Sequence, residues 1–193
     1  MKREIVCWSQ KLMFAALTLM FCASCGAAAP KVRQAIIGSV EAVDKRAKTV
    51  AVKTADGTIE TIKFTGKTTV RGLKDAAKAI EFAGREGSFV VAHYTIKGAD
   101  KTASAFEYIG REAPKIAEGT IKVVGKAGRT VALETADGAE EVFDLSERAA
   151  VDTGKGIADA AEYTAKETVN GTKVSVHYTE EGGRKVAHFI RKL

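Results

Sequence analysis

The sequence predicts a mostly β protein of two tandem five-stranded barrels, each with one short helix between its third and fourth strands. Three observations predict it. The segment Thr49–Gly57, TVAVKTADG, recurs at Thr130–Gly138 as TVALETADG. The flanking residues align at a constant spacing of 81 positions, as far as Val70 over Val151. Apolar and polar residues alternate through most of both copies, which is the period of a half-buried strand.

Each element has its own justification. The first strand is Ala35–Val43, matched by Ala117–Val124, with Gly38 over Gly119 and Val40 over Ile121. Glycine inside a strand marks a bulge or a bend, as in a closing barrel. The turns Asp44–Ala47 and Gly125–Gly128 follow. In the second strand Val50 and Val52 alternate with Thr49, Ala51 and Lys53. Asp56-Gly57 and Asp137-Gly138 predict tight hairpins, because glycine reaches positive φ without a steric penalty. The third strand is Ile59–Thr65, whose Ile62 and Phe64 align with Phe143 and Leu145.

Past Val70 the spacing becomes 84, because Arg71-Gly72 gives way to Asp152–Gly156. Leu73, Ala76, Ala77 and Ile80 fall at helical spacing, as do Ile157, Ala160, Ala161 and Thr164, so each copy predicts a short helix. Ser88–Ile96 and Thr172–Glu180 share the tripeptide His-Tyr-Thr, and hairpins lead from them into Thr102–Ile109 and Lys185–Leu193. The modules span 33–110 and 117–193, joined by a linker at 111–116. Three strands, a helix and two strands is the order of an OB-fold. A small SH3-like barrel or a pair of open sheets is the alternative.

Residues 1–29 read as an export signal. Lys2, Arg3 and Lys11 precede an eleven-residue apolar run, Leu12–Cys22, and small residues follow to Ala29. A membrane-spanning helix needs about 20 apolar residues. Cys22-Ala-Ser-Cys25-Gly resembles a bacterial lipobox, with Cys22 where that pattern has Leu. The resemblance implies lipidation of Cys25 and an exported protein anchored there; the alternative is a cut among Ala27–Ala29 and release as a periplasmic or secreted protein. All three cysteines (7, 22 and 25) lie in this segment, so the body from Pro30 onward has neither a disulfide nor a thiolate metal site.

Charge and motif content exclude several functions. The chain carries +6, and without residues 1–25 it holds 27 basic against 23 acidic residues. Lys45, Arg46, Lys48, Lys53, Lys63, Lys67 and Arg71 cluster in the first copy, but no aromatic residue interleaves them as a stacking platform for single strands. The second copy, from Pro114, has 12 bases against 13 acids. Nucleic acid is therefore not the expected partner; an envelope protein, an anionic lipid or a polysaccharide is. Gly125-Lys126 and Gly154-Lys155 lack the spacing and the following Ser or Thr of a phosphate loop. The body has no cysteine and no GxSxG, and Glu140-Glu141 and Glu180-Glu181 point to opposite faces of a strand. No catalytic residue and no cofactor is expected.

One metal-ligating pair remains. If Gly182-Gly183 is a two-residue loop, Val176 faces Phe189, Tyr178 faces Ala187 and His177 faces His188, with Cβ atoms roughly 4.5–5.5 Å apart. Two imidazoles so placed could share zinc or copper, given further ligands. In the first copy a three-residue loop, Gly98–Asp100, puts Ala105 opposite His93. The alternation places all three histidines on the outer, polar face.

The full pattern is a Gly-x-hydrophobic strand, Thr-Val-x-Val-x-Thr-x-Asp-Gly, an Ala-rich helix and a closing Gly-Lys hairpin. It resembles the small exported OB-like domains of many bacterial proteins of unknown function. The resemblance covers nearly all of Ala35–Leu193 as two copies and implies a fold, with no catalytic residue to carry over. The expected function is that of an exported, non-catalytic envelope module that binds or scaffolds. Weak binding of metal, anionic glycan or lipid is the alternative, and an uncharacterised enzyme the lesser one.

Overall fold

The computed structural model describes residues 32–73, 77–78, 85–125, 129–164 and 170–193. The expected export signal, Cys25 and the turn at Lys126–Gly128 lie outside the described residues. The protein is mostly β, with one short helix among the described residues. Its strands form two sheets.

The first sheet holds β1 (Val32–Asp44), β2 (Thr49–Lys53), β3 (Ile59–Lys63), β4 (Thr69–Arg71), β5 (Ala77–Lys78), β6 (Phe89–Lys97) and β7 (Asp100–Gly110). Their order is β3-β2-β1-β6-β7-β4-β5. β3 also meets β7 through one parallel bridge, Lys63 with Thr102. The second sheet holds β8 (Lys115–Val124), β9 (Thr130–Thr135), β10 (Glu140–Asp152), β11 (Ile157–Asp159), β12 (Lys173–Glu181) and β13 (Arg184–Lys192). Its order is β11-β10-β13-β12-β8-β9, and β9 pairs back onto β10 along Thr130–Glu134. That last pairing closes β8, β9, β10, β13 and β12 into a five-stranded barrel.

The closure depends on one strand serving two neighbours. The first part of β10, Glu140–Asp144, pairs antiparallel with β9. Its later part, Ala150–Asp152, runs parallel to β13 after an irregularity between Leu145 and Ala150. Such a break bends a strand and increases its twist, which a small barrel needs. Glycine does a different job from the bend expected of it. A Cβ on Gly38 would lie 2.3 Å from the carbonyl oxygen of Lys53, and one on Gly119 2.6 Å from that of Glu134. Both glycines let two backbones pass close together; the bulges fall next door, between Val40 and Ala42 and between Ile121 and Val123.

The hairpin turns are as the dipeptides predict. Gly57 and Gly138 adopt φ of 85° and 81°. The Asp56 carboxylate accepts from the Thr54 hydroxyl and from the Thr58 amide, and Asp137 does the same with Thr135 and Ala139.

The helices are corrected. Ala77 and Lys78 extend the sheet, pairing with Val70 and Thr69, and the rest of the expected first helix (74–76 and 79–84) lies outside the described residues. In the second copy Ile157–Asp159 pairs with Asp152–Ala150, and α1 is confined to Ala160–Thr164. Here the chain doubles back: the Thr153 amide donates to the Gly156 carbonyl, and Asp152 accepts from the Gly154 amide. The returning residues find ladder partners on β10 and take them instead of a helical turn. Asp159 then caps α1, its carboxylate accepting the Glu162 amide at 3.2 Å.

Inside the first sheet Val40, Val50, Val52, Ile62, Phe64, Val70 and Phe106 pack as one core. Inside the second, Ile121, Val131, Leu133, Phe143, Val151, Val174 and Ile190 form another. A third cluster lies between the sheets, where Ala35, Ile37 and Val91 of the first pack against Ala150 and Phe189 of the second.

A candidate ligand-binding cleft between the two sheets

Each histidine lies on a strand of a hairpin whose ladder slips by one residue. In β12–β13 the pairs run Glu181–Arg184 to Tyr178–Ala187, as the two-residue loop predicts, and then become His177–Phe189 and Val176–Ile190. His188 is the extra residue of this bulge. The expected opposition of His177 and His188 is therefore replaced by His177 opposite Phe189, their rings edge to face at 5.8 Å. The same slip occurs in β6–β7, where Tyr94 pairs with Ala103 and His93 with Ala105, leaving Ser104 as the extra residue. Ala105 does face His93, although through a bulge and not through a longer loop.

The histidines also differ from expectation in their surroundings. His177 and His188 are 7% and 5% exposed. Burial, with the Arg191 charge as a smaller contribution, pushes His177 down to about 4. His188 is held at the joint between the sheets. Its Nε2 lies 2.9 Å from the Thr179 hydroxyl, and its Nδ1 lies 3.5 Å from a Glu107 oxygen. The same Glu107 oxygen accepts from the Ser146 hydroxyl at 3.0 Å, so one carboxylate of β7 ties to two residues of the second sheet. Among the described residues no group of three His, Cys, Asp or Glu side chains is placed to hold a metal ion.

Beside this joint lies a cleft of about 450 Å³, walled by β1, β4, β6 and β7 of the first sheet and by β10 and β11 of the second. Arg33, Arg71 and Arg148 line it together with His93, Glu107 and Asp159. None of the three guanidinium groups has an ion-pair partner among the described residues. Arg71 Nη1, His93 Nε2 and the second Glu107 oxygen, Oε2, are buried without a hydrogen-bond partner among the described residues. Burial lowers the His93 pKa, and the charges of Glu107 and Asp159 oppose that only in part. The ring is thus neutral near pH 7. Unmet buried donors and acceptors are costly, and three of the residues that carry them line this cleft.

The cleft was not foreseen. The sequence places Arg71 in the basic cluster of the first copy and His93 on an outer, polar face. The available signal was local: Ala35–Ile37, Val90–Ala92, Ala149–Val151 and Phe189-Ile190 are continuous apolar runs, and a strand apolar on both faces is covered on both. Comparison with known proteins finds no family model that matches this chain and no curated protein that matches it.

Proposed function

We propose that the protein is an exported, non-catalytic binding module of the cell envelope, built as two small barrels of one design, with its ligand seat in the cleft between them. The observation that carries the reading is the set of three arginines that line one concave surface with no ion-pair partner among the described residues. Pockets of some 300–1,000 Å³ with a few convergent polar groups are the usual form of small-ligand sites. Export is supported by the basic start, short apolar run and small residues of 1–29. The shared design is supported by matching pairs: Lys63–Thr102 in one sheet corresponds to Asp144–Val186 in the other, and Val70–Phe106 to Val151–Ile190. The non-catalytic part rests on the cleft chemistry. The Ser104 hydroxyl, a candidate nucleophile on the wall, donates to the His93 backbone carbonyl at 3.1 Å and not to the ring.

A thermal-shift screen of metal ions, lipid headgroups and organic and inorganic anions tests the reading. Anions are expected to raise the melting temperature in proportion to the logarithm of their concentration, and Arg148→Glu is expected to remove the effect. A screen in which no anion stabilises the protein, or stabilisation that survives Arg148→Glu, would overturn it.

A further inference from the structure

We infer that the cleft is a site for a polyhydroxylated carboxylic acid, of the sugar-acid class, carrying one negative charge. This rests on the reading of the cleft as a ligand seat and names what it takes. Three features select the class.

The first is charge. Arg33, Arg71 and Arg148 supply three positive charges, and Glu107 and Asp159 remove two, leaving one to be met. A monoanion balances that excess; a phosphate dianion exceeds it and brings its oxygens against two carboxylates. The second is the kind of unmet group. Arg71 Nη1 can only donate, Glu107 Oε2 can only accept while ionised, and His93 Nε2 does either according to its tautomer. A ligand that meets these three lining side chains must bring an acceptor and a donor together. Sulfate brings only acceptors, phosphate brings donor hydroxyls but no C–H face, and a neutral sugar leaves the guanidinium groups unmatched. A carboxylate suits the planar fork of arginine, and an adjacent hydroxyl suits Glu107. The third is the remaining wall. Gln34, Thr95 and Ser104 offer amide and hydroxyl groups of the kind a polyol uses, while Ala105 and Ile157 give apolar side chains for its C–H face.

The acid could be free or could terminate an acidic polysaccharide, and the same chemistry would recognise both. Isothermal titration of the protein at low salt with D-glucuronate, D-glucose, inorganic phosphate and a short oligoglucuronide tests the assignment. Glucuronate is expected to bind at least ten times tighter than glucose or phosphate, and Arg148→Glu, at an exposed position, to weaken it tenfold or more. Glu107→Gln keeps an acceptor for Ser146 but removes one negative charge. It is expected to narrow the preference for glucuronate over phosphate. An oligoglucuronide that binds as well as the monomer supports the assignment with a polymer end as the source; the monomer alone supports it with a free acid as the source. Phosphate binding that equals or exceeds glucuronate and is lost in Arg148→Glu overturns the sugar-acid class and leaves the cleft as an anion seat. Absence of binding by every anion overturns both.

Discussion

The two sheets run their strands in the same order and slip their last hairpins at the same place, yet the outer faces there differ in what fills them. After the slip, the first sheet presents Ser104 and Ala105, while the second presents His188 and Phe189. The small pair lines the cleft. The large pair is buried, with Phe189 packed into the cluster between the sheets and His188 against Glu107. One strand order therefore yields a seam in one place and a hollow in the other. The difference teaches that side chains on the outside of the strands, which the strand order of neither sheet requires, decide whether a seam or a hollow forms.

The largest test of this contrast removes the seam. Phe189→Ala takes a fully buried ring from the inter-sheet cluster. It is expected to cost about 3–5 kcal/mol in chemical denaturation, the range for buried Phe to Ala. A loss under about 1 kcal/mol would mean that the second sheet holds no packed outer face, and the contrast would fail.

The next test uses the histidine opposite that ring. His177 titrates near 4 in the fold and near 6.5 when unfolded. As pH falls below about 6.5 the unfolded chain takes up a proton that the folded chain refuses, so stability drops until about pH 4 and then stays level. A shift of this size is worth at most about 3 kcal/mol. His93 moves in the same direction, so the first sheet adds a smaller loss of the same sign. Denaturation series at pH 7, 5.5 and 4 check this. His177→Leu is expected to flatten the profile; an unchanged acid slope in that variant would show that the burial of His177 is not its source.

Much of the fold was legible before any coordinates. Alternation picks out Val50, Val52 and Ile62, which are fully buried, and the two Asp-Gly dipeptides sit in tight turns. Local rules sufficed where the residue's own backbone preference decides. They failed where a distant strand decides. Leu73–Ile80 and Ile157–Thr164 have helical spacing, but ladder partners on β4 and β10 capture Ala77-Lys78 and Ile157–Asp159. Asp159-Ala-Ala-Glu162 was a readable start signal for α1 that spacing alone did not use. The histidines failed for a third reason. A single bulge turned one expected pair, His177 with His188, into another, and no residue in the hairpin announces a bulge. The cleft needs both sheets, and neither copy read alone contains it.

The glycines sharpen the likeness of the two sheets. Gly38 and Gly119 sit at matching places, each with a carbonyl oxygen of the neighbouring strand where a Cβ would go. Ala at either is expected to cost about 1–3 kcal/mol through forced backbone shifts. Measured melting curves that differ by more than about 1.5 kcal/mol between the two variants would mean that the close approach matters in only one sheet.

The smallest expected effect on stability is the most telling for function. Ala105→Phe places in the first sheet the residue type that the second sheet carries at the corresponding position, opposite a histidine in both. Ala105 lines a cleft open enough to receive a ring, so the substitution leaves the two cores untouched. Ala105 follows the bulge but keeps its own ladder pairing with His93; substitutions away from packed cores stay within about 0.5 kcal/mol, and that is the change expected here. The hollow, however, is then occupied by the same kind of ring that makes the seam. Any anion stabilisation seen in the parent is expected to vanish while the unliganded melting temperature holds. A large loss of stability would mean the space is already packed in solution. Retained anion binding would place the ligand somewhere other than beside Ser104 and Ala105, and the hollow would lose its meaning as the counterpart of the seam.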